Sequence, residues 1–346
     1  MQHNRQQIRI METTPILNEH NKQEPAPVDL ETLDKSQAIS YDQGYAIRAI
    51  ATAMIIFVHS INEYECYYSN TARLLLLPVF GVLGCSLFFF MSGYGLMSSL
   101  YVSHKKPTTR YIFSHLSKIL IPVAIVYILN SILLPHTLSY NNIVINHHNI
   151  FTLTLPEGTN IWFVKIILFD YITTFLLFRL TTRIEHLLFY LFITQSALIA
   201  ILYICKADGF WYISNLCFVL GALHIIHPLF KTKYIIISFS LFAIFYLCIV
   251  NSIISAPIQI TGCLAFCMII TYIVKKINNW PRWIKYIGKN SLLYYLLNIP
   301  IMWLIPSYNI HFITYFAANF IATTFSAFVY NIFSNSLARL SKKHLA

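Results

Sequence analysis

Ten stretches of roughly twenty residues, each nearly free of charge, recur along the chain: 44–62, 76–100, 117–136, 161–180, 186–205, 210–227, 234–254, 257–275, 284–304 and 312–333. A helix rises about 1.5 Å per residue, so about twenty apolar residues cross the hydrocarbon of a bilayer. The pattern predicts an all-α, polytopic integral membrane bundle of about ten transmembrane helices. Composition agrees: 57% of residues are hydrophobic and 11% charged, where a soluble domain carries about 25% charge. One core does not hide that much apolar surface. The second run is long enough to tilt or break, and Gly81, Gly84, Gly93 and Gly95 lie in it.

The net charge of +11 does not point to nucleic acid. Seven of the 13 acids precede residue 44, and the bases sit in short clusters between the apolar runs. That is the pattern of membrane loops. With the amino terminus in the cytoplasm, 20 of the 24 bases fall on the cytoplasmic side and only Arg73 and Lys206 outside. Ten spans with both termini cytoplasmic follow, in the cell (inner or plasma) membrane. Residues 1–41 read as a flexible polar tail without a signal peptide, 42–335 as the membrane domain and 336–346 as a basic tail. Seven cysteines show no paired framework; Cys263 and Cys267, one turn apart in an apolar run, read as packing residues.

Two bases, Arg48 and Lys165, and one acid, Asp170, remain inside spans. Ionisable residues there face the bundle interior or a wet cavity, and by default mark function. In "RAIATAMIIFVHS", His59 follows Arg48 by 11 residues. That is close to three turns, so both leave one helix face about 16 Å apart. Alone, Arg48 reads as snorkelling to the interface, and His59 as a buried histidine bonded to another helix. Together they predict a passage with a fixed cation near the cytoplasm and a titratable base deeper in.

The segment resembles the opening span of the membrane-bound acyltransferase 3 family, whose members carry an arginine and a histidine at this spacing. "GVLGCSLFFFMSGYGLMSS" is similar to that family's second span, and "IWFVKIILFDYI", "CFVLGALHIIH" and "IGKNSLLYYLLNIP" resemble later segments, in family order. The resemblance implies transfer of an acyl group, usually acetyl, from cytoplasmic acyl-coenzyme A. The implied acceptor is a hydroxyl on a cell-surface glycan or its lipid-linked precursor. Acyl-coenzyme A is a co-substrate; no permanently bound cofactor or metal is expected. Two places depart from the family pattern. His115 and Lys118 stand where an arginine pair is common, and Asn298 where the closing span usually has histidine. An amide does not titrate near neutral pH, so acid–base work falls on His59.

The expected site follows. Arg48, Lys105, Lys106, Arg110 and Lys118 hold the nucleotide, and the pantetheine arm runs along the first helix to His59, the general base. Ser92 and Tyr94 are candidate oxyanion donors, Ser92 equally a packing residue. Trp162, Asp170 and Asn298 are candidate acceptor contacts. Asp170 reads equally as orienting His59 or as a structural polar contact, and Trp162 as an interface anchor. His147 and His148 read as ordinary loop residues. Two other readings stay open: a glycan transporter or flippase without chemistry, and an acyltransferase for a lipid or peptide.

Overall fold

The computed structural model describes residues 38–65, 77–103, 108–133, 161–181, 183–227, 229–251, 253, 255–305 and 310–344. The amino-terminal tail, the loop with His147 and His148, Arg73, Lys105 and Lys106 lie outside the described residues. Among the described residues every regular element is a helix. They are α1 (Tyr41–Glu65), α2 (Leu77–Ser103), α3 (Thr109–Leu133), α4 (Ile161–Leu180), α5 (Ile184–Ile204), a 3-10 turn (Gly209–Trp211), α6 (Leu216–His224), α7 (Thr232–Val250), α8 (Ala256–Lys275), α9 (Arg282–Lys289), α10 (Ser291–Leu304) and α11 (Phe312–His344).

Seven of them, α1, α2, α3, α5, α7, α8 and α11, are long and apolar enough to cross a membrane. The 20-residue α4 carries Lys165, Asp170 and Arg179. Two expected spans have a different form. The sixth, 210–227, is a 3-10 turn followed by a nine-residue helix. Ser214 and Asn215 interrupt the run there, and the Ser214 hydroxyl donates to the Val82 carbonyl at 3.0 Å. The ninth, 284–304, is divided at Asn290, whose side chain bonds back to the Tyr286 carbonyl at 2.8 Å and ends α9. By contrast, α2 runs unbroken for 27 residues despite its glycines.

What surrounds this bundle is legible from its surface. Phe189, Ile193 and Ile201 on α5, Ile236, Ile244 and Leu247 on α7, and Ile321, Phe325 and Phe328 on α11 are all exposed. Side chains of this kind on three outer helices need a hydrocarbon solvent. The chain is a multi-pass membrane protein.

At the centre, α2 is apolar all round and packs against α1 and α6. Gly93 meets the backbone of Phe218, and Gly221 that of Phe90; a Cβ at either glycine stands 2.0 Å from a carbonyl oxygen. At the start of α1, Ser40 and Gln43 cap the helix reciprocally. The Gln43 amide oxygen accepts from the Ser40 N–H at 2.9 Å, and the Ser40 hydroxyl from the Gln43 N–H at 3.3 Å. Asp42, in the first turn, pairs with Lys285 of α9. Both side chains are partly exposed, so replacing Lys285 with alanine is expected to cost about 1 kcal/mol or less. Thermal unfolding of the purified protein reads this; a larger loss means Asp42 does more than hold an ion pair.

Candidate active site

A cavity of about 250 Å³ lies among α1, α2, α3, α4 and α10. Arg48 of α1 supplies its charge, and Ser92, Tyr171, Ser291 and Tyr295 supply hydroxyls. Phe88, Phe163, Val164 and Ile167 make much of the rest apolar. Arg48 lies two turns into α1, where α2 passes close: a Cβ on Gly44 stands 3.0 Å from the Met91 methyl. The guanidinium packs over the Tyr45 ring, 5.4 Å from its centroid. Its Nε is buried without a hydrogen-bond partner among the described residues. Ser92 and Tyr171 line the cavity together with Arg48. At Gly95, on the same wall, an added Cβ meets nothing within 4 Å.

His59 is not among the residues that line this cavity. The cavity at Arg48 therefore does not take in both ends of the Arg48–His59 register as expected. Three of the rings that line the cavity pack on one another. Phe88 lies 5.9 Å from Phe163 and 6.4 Å from Tyr295, and Phe163 lies 5.0 Å from Tyr295. Along α10 the order is Ser291, Leu292 and Tyr295 on the cavity, then Asn298 one turn on. His59 Nδ1 bonds the Asn298 amide oxygen at 2.6 Å. The two residues that the sequence treats separately, the histidine of the opening span and the asparagine of the closing one, thus form a pair. Asn298 is fully buried.

The remaining expected residues are dispersed. The Tyr94 hydroxyl accepts from the Ile39 N–H at 2.8 Å and donates to the Ile39 carbonyl at 3.2 Å. It ties down the chain entering α1 and is not among the residues that line the cavity. Asp170 is fully buried and accepts from Gln195 Nε2 of α5 at 2.6 Å. Its packing partner is α5, not His59, which is the structural polar contact among the readings open from sequence. Trp162 stacks near Phe210 at 5.1 Å and Trp211 at 6.1 Å, with Lys165 5.6 Å above the Trp211 ring. Its neighbour Phe163 is the one on the cavity. Arg110 and Lys118 are exposed, and it is Ile119 that faces the cavity. His115 donates to the Tyr111 carbonyl at 3.0 Å, and Tyr111 bonds Ser99.

Tyr171, Ser291 and Tyr295 were not singled out in the sequence. Ser291 and Tyr295 lie in the quoted "IGKNSLLYYLLNIP" stretch, so a signal existed for them. Tyr171 reaches the cavity only because α4 passes close to α2, as the Phe89–Phe163 ring contact at 5.0 Å shows; nothing local announces it.

The family model described as an acyltransferase domain matches residues 45–332. The chain belongs to the acyltransferase 3 family. The match runs from Tyr45, the fifth residue of α1, to Ile332 in the carboxyl-terminal half of α11, so it takes in the cavity, the aromatic cluster and the His59–Asn298 pair. No curated protein and no solved structure matches the chain. As a membrane protein of the acyltransferase 3 family it is an acyltransferase.

Proposed function

We propose that this acyltransferase moves an acyl group, acetyl in the first instance, from cytoplasmic acyl-coenzyme A to a hydroxyl of a cell-surface glycan or its lipid-linked precursor. In this reading the amino-terminal end of α1 faces the cytoplasm, as the basic clusters indicate. The observation that carries the reading is Arg48: a guanidinium on a largely apolar cavity, with its Nε unpartnered among the described residues. A cation so placed is costly unless an anion completes it. A phosphate-bearing ligand with a long, weakly polar arm has the matching chemistry, and arginine's planar fork engages two phosphate oxygens together.

The chemistry is assigned to His59. Its Nε2 takes the proton of the acceptor hydroxyl as the oxygen attacks the thioester carbon. The carbon–sulfur bond then breaks, the acyl group stays on the acceptor oxygen, and the coenzyme A thiolate leaves and takes up a proton. The thioester reaches His59 when Phe88, Phe163 and Tyr295 part. Until then the same rings separate the donor from water and the acceptor. With Tyr94 tied to Ile39, the hydroxyls that share the cavity with Arg48 are Ser92, Tyr171, Ser291 and Tyr295.

The test uses membranes containing the full chain, radiolabelled acetyl-coenzyme A and recovery of label in glycan. Replacing Arg48 with lysine keeps the charge and removes the fork. A charge-assisted bond is worth about 1.5–3 kcal/mol, so KM for acetyl-coenzyme A is expected to rise roughly 10- to 100-fold. An unchanged KM removes Arg48 from the donor site. A wild-type chain that transfers neither acetyl nor succinyl label to glycan overturns the reading as a whole.

A further inference from the structure

The Asn298 carboxamide can be oriented from its neighbours alone. Its Nδ2 lies 3.0 Å from the Tyr294 carbonyl oxygen and 2.8 Å from that of Tyr295. Both partners only accept, so the amide nitrogen must face them. A reversed amide sets its oxygen against two others at hydrogen-bond distance. The amide oxygen therefore faces His59 Nδ1, 2.6 Å away. That oxygen carries no hydrogen, so the proton of the bond belongs to Nδ1. A neutral imidazole has a single N–H, which leaves the lone pair on Nε2.

We propose that Asn298 is a positioning residue for acyl transfer: it holds His59 in the Nδ1–H tautomer and presents Nε2, as the base, to the acceptor hydroxyl. This rests on the reading of His59 as general base and adds the group that sets its tautomer. The buried amide is itself locked, with both N–H bonds on α10 carbonyls and its oxygen on His59, so the imidazole is held by a rigid element rather than a loop. Such anchoring fixes both ring orientation and proton position.

An amide partner also means that, of the pair, only His59 can take up a proton. The charged groups around it are few. Neither α2 nor α10 carries an acid, a base or a histidine, though Tyr294 and Tyr295 lie on α10. On α11 there are Tyr315 and Tyr330, with Arg339, Lys342, Lys343 and His344 at the far end. On α1, Glu63 and Tyr64 lie one turn beyond His59 and Arg48 lies three turns before it. The cations of α8 and α9 gather at the other end of α1, where Gln43 bonds the Lys275 carbonyl and Lys285 pairs with Asp42.

The experiment has a spectroscopic arm and a kinetic one. Full-length protein with 15N-labelled histidine is placed in lipid nanodiscs, and the His59 signals are identified by their loss in His59→Gln. At a pH where the ring is neutral, Nδ1 is expected to be protonated and Nε2 bare; a neutral ring with its proton on Nε2 overturns the proposal. In the kinetic arm, Asn298→Leu is expected to lower kcat roughly 10- to 100-fold, as loss of a supporting partner commonly does. KM for acetyl-coenzyme A stays unchanged. Asn298→Asp keeps an acceptor and adds a negative charge that favours the imidazolium. Since the base works when neutral, the acid limb of its kcat–pH profile is expected to move up by about one to two pH units. Wild-type kcat and pH profile in both variants, with His59→Gln inactive, overturns the positioning role and leaves the base. A fully active His59→Gln overturns both.

Discussion

Replacing His59 with alanine is expected to lower acyl transfer about 10²- to 10⁴-fold while leaving the protein in the membrane and its affinity for acetyl-coenzyme A unchanged. The size follows from what a positioned base contributes, and the retained affinity from the cavity, whose lining residues do not include His59. Alanine also strands the Asn298 oxygen in a buried position. An unpaired acceptor of that kind costs about 1–3 kcal/mol of stability, so a fall in activity alone does not separate chemistry from folding. Glutamine at 59 resolves this: its amide can donate to Asn298 but accepts no proton near neutral pH. Both variants are expected to lose transfer alike, with the glutamine chain unfolding at the higher temperature. A glutamine variant that transfers label at the wild-type rate removes the base from His59 and moves the chemistry to the hydroxyls around Arg48.

The helical, membrane-embedded nature of the chain follows from its apolar runs, because in hydrocarbon a helix satisfies its own backbone polar groups. The interruptions follow less well. Hydropathy averages over the very residues that divide a run: Ser214, before α6, spends its hydroxyl on the Val82 carbonyl, and Asn290, between α9 and α10, its amide on the Tyr286 carbonyl. The Arg48–His59 register is a one-dimensional fact, and it places both side chains on one face of α1. Whether they share a cavity depends on packing between helices, such as the meeting of Phe88, Phe163 and Tyr295 from three helices, which no local pattern encodes. Asn298 shows the converse. As a departure from the family pattern it looked like a lost titrating group. In the fold the same substitution gives His59 a partner of fixed hydrogen-bonding sense. The capping pair Ser40 and Gln43, three residues apart ahead of an apolar run, is a sequence signal that was there to be read.

The glycines of α2 and α6 give the second large effect, and their neighbours set its direction. Helices in lipid gain little from the hydrophobic effect on meeting one another, so α2 and α6 depend on close backbone approach. Alanine at Gly93 brings a methyl 2.0 Å from the Phe218 carbonyl oxygen, and alanine at Gly221 does the same to the Phe90 carbonyl. Ordinary contact requires well over 3 Å, so the two helices must separate by more than an ångström along their crossing. Overpacking commonly costs about 1–3 kcal/mol, and here the obstacle is backbone rather than a side chain that can rotate. Each single variant is expected to exceed that range and to yield no monodisperse folded protein after extraction in detergent. Gly95 lies two residues from Gly93 on the same helix, yet an added Cβ there meets nothing within 4 Å. Gly95→Ala is therefore expected to fold at least as well as the wild type, since alanine is the better helix former by about 1 kcal/mol. Gly95→Leu is expected to fold too, but to project its side chain into the cavity and lower kcat/KM for acetyl-coenzyme A by tenfold or more. Size-exclusion profiles and the label-transfer assay on the four variants separate the two roles. Folded, fully active Gly93→Ala would sink the packing account, and a fully active Gly95→Leu would mean that the donor does not use this cavity.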